Sequence, residues 1–380
     1  MGTRTALRNP DLAIPTTIDD VSAQWLTAAL GVTVSSVTQE RIGEGVGLVG
    51  ELARVHLSYA SPTNAANSPA TMIAKAHTRA ADMLPIAAFY GLYTTEVGFY
   101  QDASAGFGVR TPKCFYADSS ADGMQCIILL EDLAGAVAVD QIAGCPIDRA
   151  EVVIDALAAM HGGSWGHESL KDIPWLRPFN NPAFLSVGDQ IKGGLPVVLS
   201  RYNDLEPDAI AAAELIAEHV PAMYSWTVDN EPLTISHTDL RLDNLFFDLP
   251  DGSPLAILDW QLTVRASGSF DVSYFICQSL TVEDRRAHEE RLVRRWHEGL
   301  LKLGVKDYSF EKAWYDYRFA IGFQFGISVS TGLYAPVNEH AAQLMDVIVH
   351  RNFTAAHEHD TLGMVKAWLA EHLPSNGNRS

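Results

Sequence analysis

The period of the hydrophobic positions divides the chain into a strand-rich first third and a mostly helical remainder. From Val32 to Ala117, apolar and polar residues alternate in the short runs VTVSSVTQERI, ELARVHLSY and TMIAKAH, a pattern that predicts three consecutive antiparallel strands. Two more strands are expected at PKCFYA and MQCIILLED, and the intervening SPTNAANSPA reads as a loop. Met83, Ile86, Tyr90, Tyr93, Val97 and Tyr100 recur at three- and four-residue steps, so one amphipathic helix is predicted over 82–103. Residues 18–30 predict a packing helix with Asp19 or Asp20 near its start and Gly31 as its cap. Beyond Asp132 the helical period dominates, with helices expected at 150–161, 207–219, 282–303 and 310–330 and strand-like pieces around 233–259. The expected organisation is therefore α+β: a small antiparallel sheet region, residues 1–131, and a mostly helical region, residues 132–380.

Composition narrows the partners. The chain has 380 residues, 47% hydrophobic and 19% charged, with 27 Lys and Arg against 46 Asp and Glu, a formal charge of −19. That sign disfavours nucleic acid and anionic lipid. The four cysteines have no CxxC spacing, which excludes a zinc ribbon and a thioredoxin-type motif and leaves buried thiols. No apolar run approaches the roughly 18 residues of a membrane span, and MGTRTALRNPDLAIP carries no secretion-signal pattern. A soluble cytoplasmic protein is expected, with no repeat and with only PSNGNRS reading as disordered; the oligomeric state is not legible.

Three features carry chemistry. The turn GEGVGLVG spaces Gly45, Gly47 and Gly50 as a dinucleotide motif would, but ELARVHL continues as a strand where that motif needs a helix. A glycine loop between antiparallel strands suits either a phosphate cover, whose backbone N–H groups approach the oxygens, or a plain flexible hairpin. Lys75 lies in the apolar run Met72–Ala76, where an unpaired ammonium would cost several kcal/mol. Glu96, on the following helix, is its candidate partner; the alternative is a lysine snorkelling from an edge strand. The third feature is His237-Thr-Asp239-Leu-Arg-Leu-Asp243-Asn244, followed fifteen residues after Asn244 by Asp259-Trp-Gln261. His, Asp, Leu and Asn occur here at the spacing of a phosphoryl-transfer catalytic loop. Asp239 could orient an attacking hydroxyl, while Asn244 and Asp259 could supply oxygens to Mg²⁺. Taken singly, each acid could equally cap a turn.

With these motifs in this order, the sequence resembles the aminoglycoside phosphotransferase and choline kinase superfamily over roughly residues 30–350. EGVGLVGELARVHLSY, LAAMHGGSWGH and ILDWQLTVRASGSFDVSYFI lean toward the ecdysteroid-kinase-like branch and its bacterial relatives. The resemblance implies a bilobal protein-kinase-like fold. ATP, or GTP in some members, would lie between the lobes with Mg²⁺, and the γ-phosphoryl group would pass to a hydroxyl of a small acceptor. Carried over by position, Gly45, Gly47 and Gly50 would cover the phosphates and Lys75, held by Glu96, would contact them. Asp239 would be the catalytic aspartate, Asn244 and Asp259 the metal ligands, and Glu131 to Leu133 the hinge beside the adenine. Two positions depart from the pattern. Thr238 stands where many members have Gly, and Gln261 where some have a second carboxylate. A competing reading is a nucleotide-binding pseudokinase or scaffold that keeps the fold without turnover.

The remaining candidates are weaker. Asp271 is expected to cap the VSYFI helix and brace the catalytic loop, and His161 to be a hydrogen-bonded core residue. His357 and His359, in HEHD, are expected on an exposed polar segment. The aromatic stretch through Trp314, Tyr315, Tyr317, Phe319, Phe323, Phe325 and Tyr334 reads as core, with a subset that would suit a bulky apolar alcohol; a cationic, aminoglycoside-like acceptor would instead want carboxylates.

Overall fold

The alternating first third builds an antiparallel five-stranded sheet, seen in a computed structural model that describes residues 8–43, 49–103, 108–336 and 338–373. Gly45 and Gly47 lie outside the described residues. The strands are β1 (Val34–Ile42), β2 (Gly50–Tyr59), β3 (Thr71–His77), β4 (Cys114–Ser119) and β5 (Cys126–Glu131), in the order β1-β2-β3-β5-β4. β2, β3 and β5 occupy interior positions, and CIILLE of β5 is the most buried run of the sheet. The chain divides into two compact units, Met1–Val137 with Asp248–Thr263, and Ala138–Phe247 with Val264–Ser380.

In the first unit, α1 (Ala23–Leu30) packs on the sheet, with Trp25 edge-on to Tyr116 at 5.3 Å and Leu26 buried with Val55 and Leu129. Its cap is Ser22, whose hydroxyl accepts the Trp25 N–H, rather than Asp19 or Asp20. Those two acids belong to a separate 3₁₀ turn, Ile18–Asp20, while Gly31 closes α1 at φ 69° as expected. The expected loop 61–70 holds a short helix, α2 (Pro62–Asn67), because Ser61 caps it and Pro62 suits its first turn. The stripe over 82–103 is not one helix. It breaks at Gly91, φ 63°, into α3 (Leu84–Tyr90) and α4 (Leu92–Gly98), and Phe99–Ala103 continue as a wider π turn. Glycine takes this left-handed conformation without strain. The segment Asp248–Thr263 counts with this unit through local bonds: the Ile257 N–H donates to the Arg110 carbonyl, and the Trp260 ring stacks on Phe99 at 3.9 Å.

The second unit is helical: α5 (Ile147–Gly162), α6 (Pro182–Leu185), α7 (Val187–Arg201), α8 (Pro207–Asn230), α9 (Ser269–Ser279), α10 (Val282–Lys302), α11 (Phe310–Ile321), α12 (Phe325–Ser330), α13 (Glu339–Glu358) and α14 (Thr361–His372). α8 runs eleven residues past the expected end at 219. Pro221 lies inside it, and buried Val220, Met223, Tyr224 and Thr227 carry the helix past the missing N–H. The expected helix 310–330 is interrupted by a 3₁₀ turn at Gly322–Gln324, where a side chain on Gly322 would meet Ile216 at 2.6 Å. Two short strands, β6 (Thr234–Ser236) and β7 (Val264–Ala266), pair antiparallel, and β6 leads directly into the His237–Asn244 segment. Among the described residues, no helix is long and apolar enough to cross a membrane.

Candidate active site

In the first unit, β3 presents Lys75 between two carboxylates: Nζ lies 2.7 Å from Glu96 Oε2 and 2.7 Å from Asp259 Oδ1. Alternation along β3 puts Ala74 and Ala76 in the core and Lys75 on the other face. Glu96 comes from the buried face of α4, its side chain 1% exposed. Asp259 sits at φ 62°, in the left-handed region, just before the turn Trp260–Leu262. Burial alone would lower the Lys75 ammonium, but the charges of Asp259 and Glu96 outweigh it and hold the group above the usual lysine value. Burial raises the Glu96 carboxyl, with Lys75 opposing, to about 7. Gly50, the first residue of β2, backs this lysine: a Cβ there would stand 3.1 Å from the Ala76 carbonyl and 3.9 Å from Lys75 Cε. The edge-strand alternative for Lys75 is overturned, since β3 is interior and the ammonium is paired twice.

Glu131 ends β5, and its carboxylate is taken up by Arg110 at 2.8 Å and by the Lys113 N–H at 2.9 Å. Any hinge contact there would fall to the backbone. Leu133 is buried, and its carbonyl accepts the Ala136 N–H.

In the second unit, Asp239 follows β6 on a loop, and both its carboxylate oxygens are held. The Tyr274 hydroxyl donates to Oδ1 at 2.9 Å, and Asn244 Nδ2 donates to Oδ2 at 3.0 Å and to the Asp239 carbonyl at 2.8 Å. Arg241 Nε stands 3.6 Å from Oδ2. Burial, then the charge of Asp239, pushes the Tyr274 phenol well above its ordinary value, so it remains a donor.

The loop is braced from beneath by Asp271, which lies in the first turn of α9 rather than at its cap. Its Oδ2 accepts the His237 N–H and its Oδ1 the Thr238 N–H, each at 2.8 Å. Thr238 has φ 62°, a conformation costly for a β-branched residue. His161 is the buried core residue expected. Trp296 Nε1 donates to its Nδ1 at 3.0 Å, which makes Nε2 the protonated nitrogen that donates to Asp271 Oδ2 at 3.1 Å. Burial would raise the Asp271 carboxyl, but the hydrogen bonds from the His161 imidazole and the Thr238 N–H hold it below the usual range. Asp271→Ala, which would strand two buried N–H groups and one imidazole N–H, is expected to cost ~3–5 kcal/mol. Thermal and urea unfolding against wild type would measure it; a loss under ~1 kcal/mol would contradict the brace.

Two residues that hold this unit's loop or its surroundings, Tyr274 and Arg351, are not singled out by the sequence, because each lies in a plain helix. Arg351, 6% exposed on α13, donates to the carbonyls of Gln141 (2.8 Å), Gln278 (2.7 Å) and Ile142 (3.0 Å). Gln141 in turn accepts the Leu242 N–H beside the loop at 2.6 Å. Burial lowers the guanidinium to about 10. The expectation of an exposed HEHD segment holds for His357, which pairs with Asp208, but not for His359. That residue is buried, with its Nε2 3.0 Å from both Glu289 oxygens.

The comparisons with known proteins bear on the whole arrangement. The profile of the Ecdysteroid kinase-like family matches residues 44–306. The chain belongs to that family. It is also similar to an uncharacterized kinase-like protein of Caenorhabditis elegans, 25% identical over 224 residues, which are 54% of this chain and 56% of the nematode protein. The match thus spans little more than half of that relative's length. Among solved structures, a Ralstonia eutropha protein assigned to the aminoglycoside phosphotransferases matches with TM-score 0.54 at 17% identity, covering 91% of this chain and 97% of its own. The complex of APH(2″)-IIIa with GDP and kanamycin matches with TM-score 0.52 at 12% identity, covering 86% and 96%. These likenesses are of fold: this member of the Ecdysteroid kinase-like family has the α+β, bilobal protein-kinase-like architecture.

Proposed function

We propose that this Ecdysteroid kinase-like protein is an ATP- and Mg²⁺-dependent kinase, GTP being the alternative donor, that transfers the γ-phosphoryl group to a hydroxyl of a small acceptor. The acceptor would be an aminoglycoside-like compound or an apolar alcohol. The observation that carries the reading is the fixed carboxylate of Asp239, with one oxygen on the Tyr274 hydroxyl and the other on the Asn244 amide. A base held in one orientation beside a loop can accept the proton of an attacking hydroxyl without reorganising. Because Asn244 spends its Nδ2 on Asp239, its Oδ1 is left as an acceptor. Asp259 contributes a carboxylate, and the Gln261 Oε1 is buried with no donor among the described residues. Such hard oxygens suit Mg²⁺, which when bound would neutralise charge on the phosphates. Lys75, kept charged by its two carboxylates, would meet phosphate oxygens, with the Gly45, Gly47 and Gly50 turn over them and the Glu131 to Leu133 backbone beside the base.

The test is a nucleotide-consumption screen with ATP and with GTP, plus and minus Mg²⁺, across hydroxylated acceptors, with products identified by mass. One acceptor class should raise magnesium-dependent consumption above the acceptor-free background and yield a phosphorylated product. Product formed equally in EDTA would overturn the metal's role. Tyr274 is proposed as a positioning residue: Tyr274→Phe is expected to lower kcat about tenfold, the scale of one lost hydrogen bond of about 1.4 kcal/mol, with KM for nucleotide unchanged. A change confined to KM would argue against this role.

A further inference from the structure

Helix α9 holds the Asp239 loop at successive turns, and at its last turn it does so through a residue from another segment. Asp271, in the first turn, accepts the His237 and Thr238 N–H groups, and Tyr274, in the second, donates to Asp239. In the last turn the Gln278 carbonyl has no partner within the helix. It accepts Gln141 Nε2 at 2.6 Å, while Gln141 Oε1 accepts the Leu242 N–H at 2.6 Å. One buried amide therefore joins the end of α9 to the 3₁₀ turn Leu242–Asn244. Loop and helix meet in the same order, 237 and 238 on 271, 239 on 274 and 242 on 278 by way of 141, along about 10 Å of helix at ~1.5 Å per residue.

Gln141 is itself held by Arg351. Its carbonyl and that of Gln278 both accept from Arg351 Nη1, at 2.8 and 2.7 Å, and the Ile142 carbonyl accepts from Nη2 at 3.0 Å. Two carbonyl oxygens drawn onto one nitrogen would repel each other without the donor between them. A guanidinium carries enough N–H groups, in fixed directions, for three acceptors at once. A cation is also favoured at the C-terminus of a helix, so Arg351 both satisfies the end of α9 and fixes Gln141 against it. Arg351 lies on α13, beyond residue 306 where the family match ends.

We propose that Gln141 and Arg351 are positioning residues for phosphoryl transfer: Gln141 sets the Leu242 N–H, and with it the turn that brings the Asn244 amide onto Asp239, and Arg351 acts on that turn through Gln141. The proposal rests on the kinase reading. In the transfer the acceptor oxygen bonds to the γ-phosphorus, the bond to the β,γ-bridging oxygen breaks to release the nucleoside diphosphate, and the acceptor proton passes to Asp239. Neither positioning residue touches the reacting atoms; each keeps the base and the Asn244 oxygen in register.

The test pairs hydrogen exchange at the Leu242 amide, resolved by mass spectrometry, with steady-state Mg²⁺-dependent ATP hydrolysis, in which water is the acceptor. Gln141→Met keeps the side-chain length and removes both amide bonds. It should speed Leu242 exchange about tenfold or more and lower kcat about tenfold, with KM for ATP within about twofold of wild type. Arg351→Met should do the same at Leu242 and in kcat, and Arg351→Lys should recover part of both, since an ammonium can still bridge two of the carbonyls. The double variant Gln141→Met with Arg351→Met should lose no more kcat than Gln141→Met alone, because the two act in series. Thermal melts confirm folding; if Arg351→Met does not fold, Gln141→Met and Arg351→Lys decide the matter. Unchanged Leu242 exchange would overturn the proposal, as would faster exchange with unchanged kcat, or losses that multiply in the double variant. A wild type that hydrolyses no more ATP than Asp239→Asn would instead overturn the kinase reading, and the catalytic role of both residues with it, whatever the exchange at Leu242.

Discussion

Asp239→Asn is expected to reduce kcat for acceptor phosphorylation by about 10²–10⁴ while leaving nucleotide affinity within a few-fold of wild type. That loss corresponds to about 3–5 kcal/mol of transition-state stabilisation. The substitution keeps shape and hydrogen bonding. The carboxamide oxygen can take the Asn244 amide N–H, and its nitrogen can donate to the Tyr274 hydroxyl, which accepts as readily as it donates. What disappears is the charge that would receive the hydroxyl proton. Because the side chain is 17% exposed and its ion pair with Arg241 is a loose contact at 3.6 Å, removing the charge should change stability only slightly. Steady-state kinetics, nucleotide titration and a thermal melt on the same preparations separate these effects. A variant retaining more than about a tenth of wild-type kcat would remove Asp239 from the role of base. Equal and negligible nucleotide turnover by wild type and variant would instead favour the pseudokinase reading.

Much of this site is legible in the sequence because its residues violate local expectation. A lysine in an apolar strand demands a carboxylate, and Glu96, on α4, supplies it. The spacing from His237 to Asn244 fits a loop that folds back on itself, and Asn244 does return its amide to Asp239. Residues that act across long separations, while looking locally ordinary, are not legible in this way. Tyr274 sits in an apolar helix where any aromatic would satisfy the pattern, and only the tertiary fold turns its hydroxyl onto Asp239. Arg351 carries no local sign of its role, and only the fold brings three carbonyls from distant segments onto it. Helix ends failed for a related reason. The break at Gly91 interrupts an apolar stripe that continues on both sides, and α8 continues through Pro221 because four buried side chains outweigh one missing N–H. Periodicity reports which face is buried; it does not report whether the backbone stays continuous under that face.

Lys75→Met is expected to be the most destabilising single change in the first unit, at ~3–5 kcal/mol near neutral pH, because it leaves the Glu96 carboxylate buried without its counter-charge. The cost should depend on pH, and its sign follows from Glu96. Burial already raises that carboxyl from 4.5 to about 7 with the lysine present, and losing the ammonium moves it further in the same direction. A carboxyl whose folded pKa exceeds its unfolded one adds stability below the unfolded value and loses it as pH rises through the folded one. Urea denaturation should therefore find the variant's deficit smallest near pH 5 and growing toward pH 8, where the protonated form is no longer available to the folded state. Lys75→Met combined with Glu96→Leu removes both buried charges and should recover most of the lost stability, since a well-packed apolar pair replaces ions that were costly to desolvate. Asp259, 23% exposed, keeps access to water and does not demand the lysine in the same way. The double variant should remain inactive, because a stable fold without the ammonium has nothing at that position to meet a phosphate oxygen. If it is no more stable than Lys75→Met alone, the lysine's contribution is not the neutralisation of Glu96, and the pairing that singles out Lys75 in the sequence loses its energetic meaning.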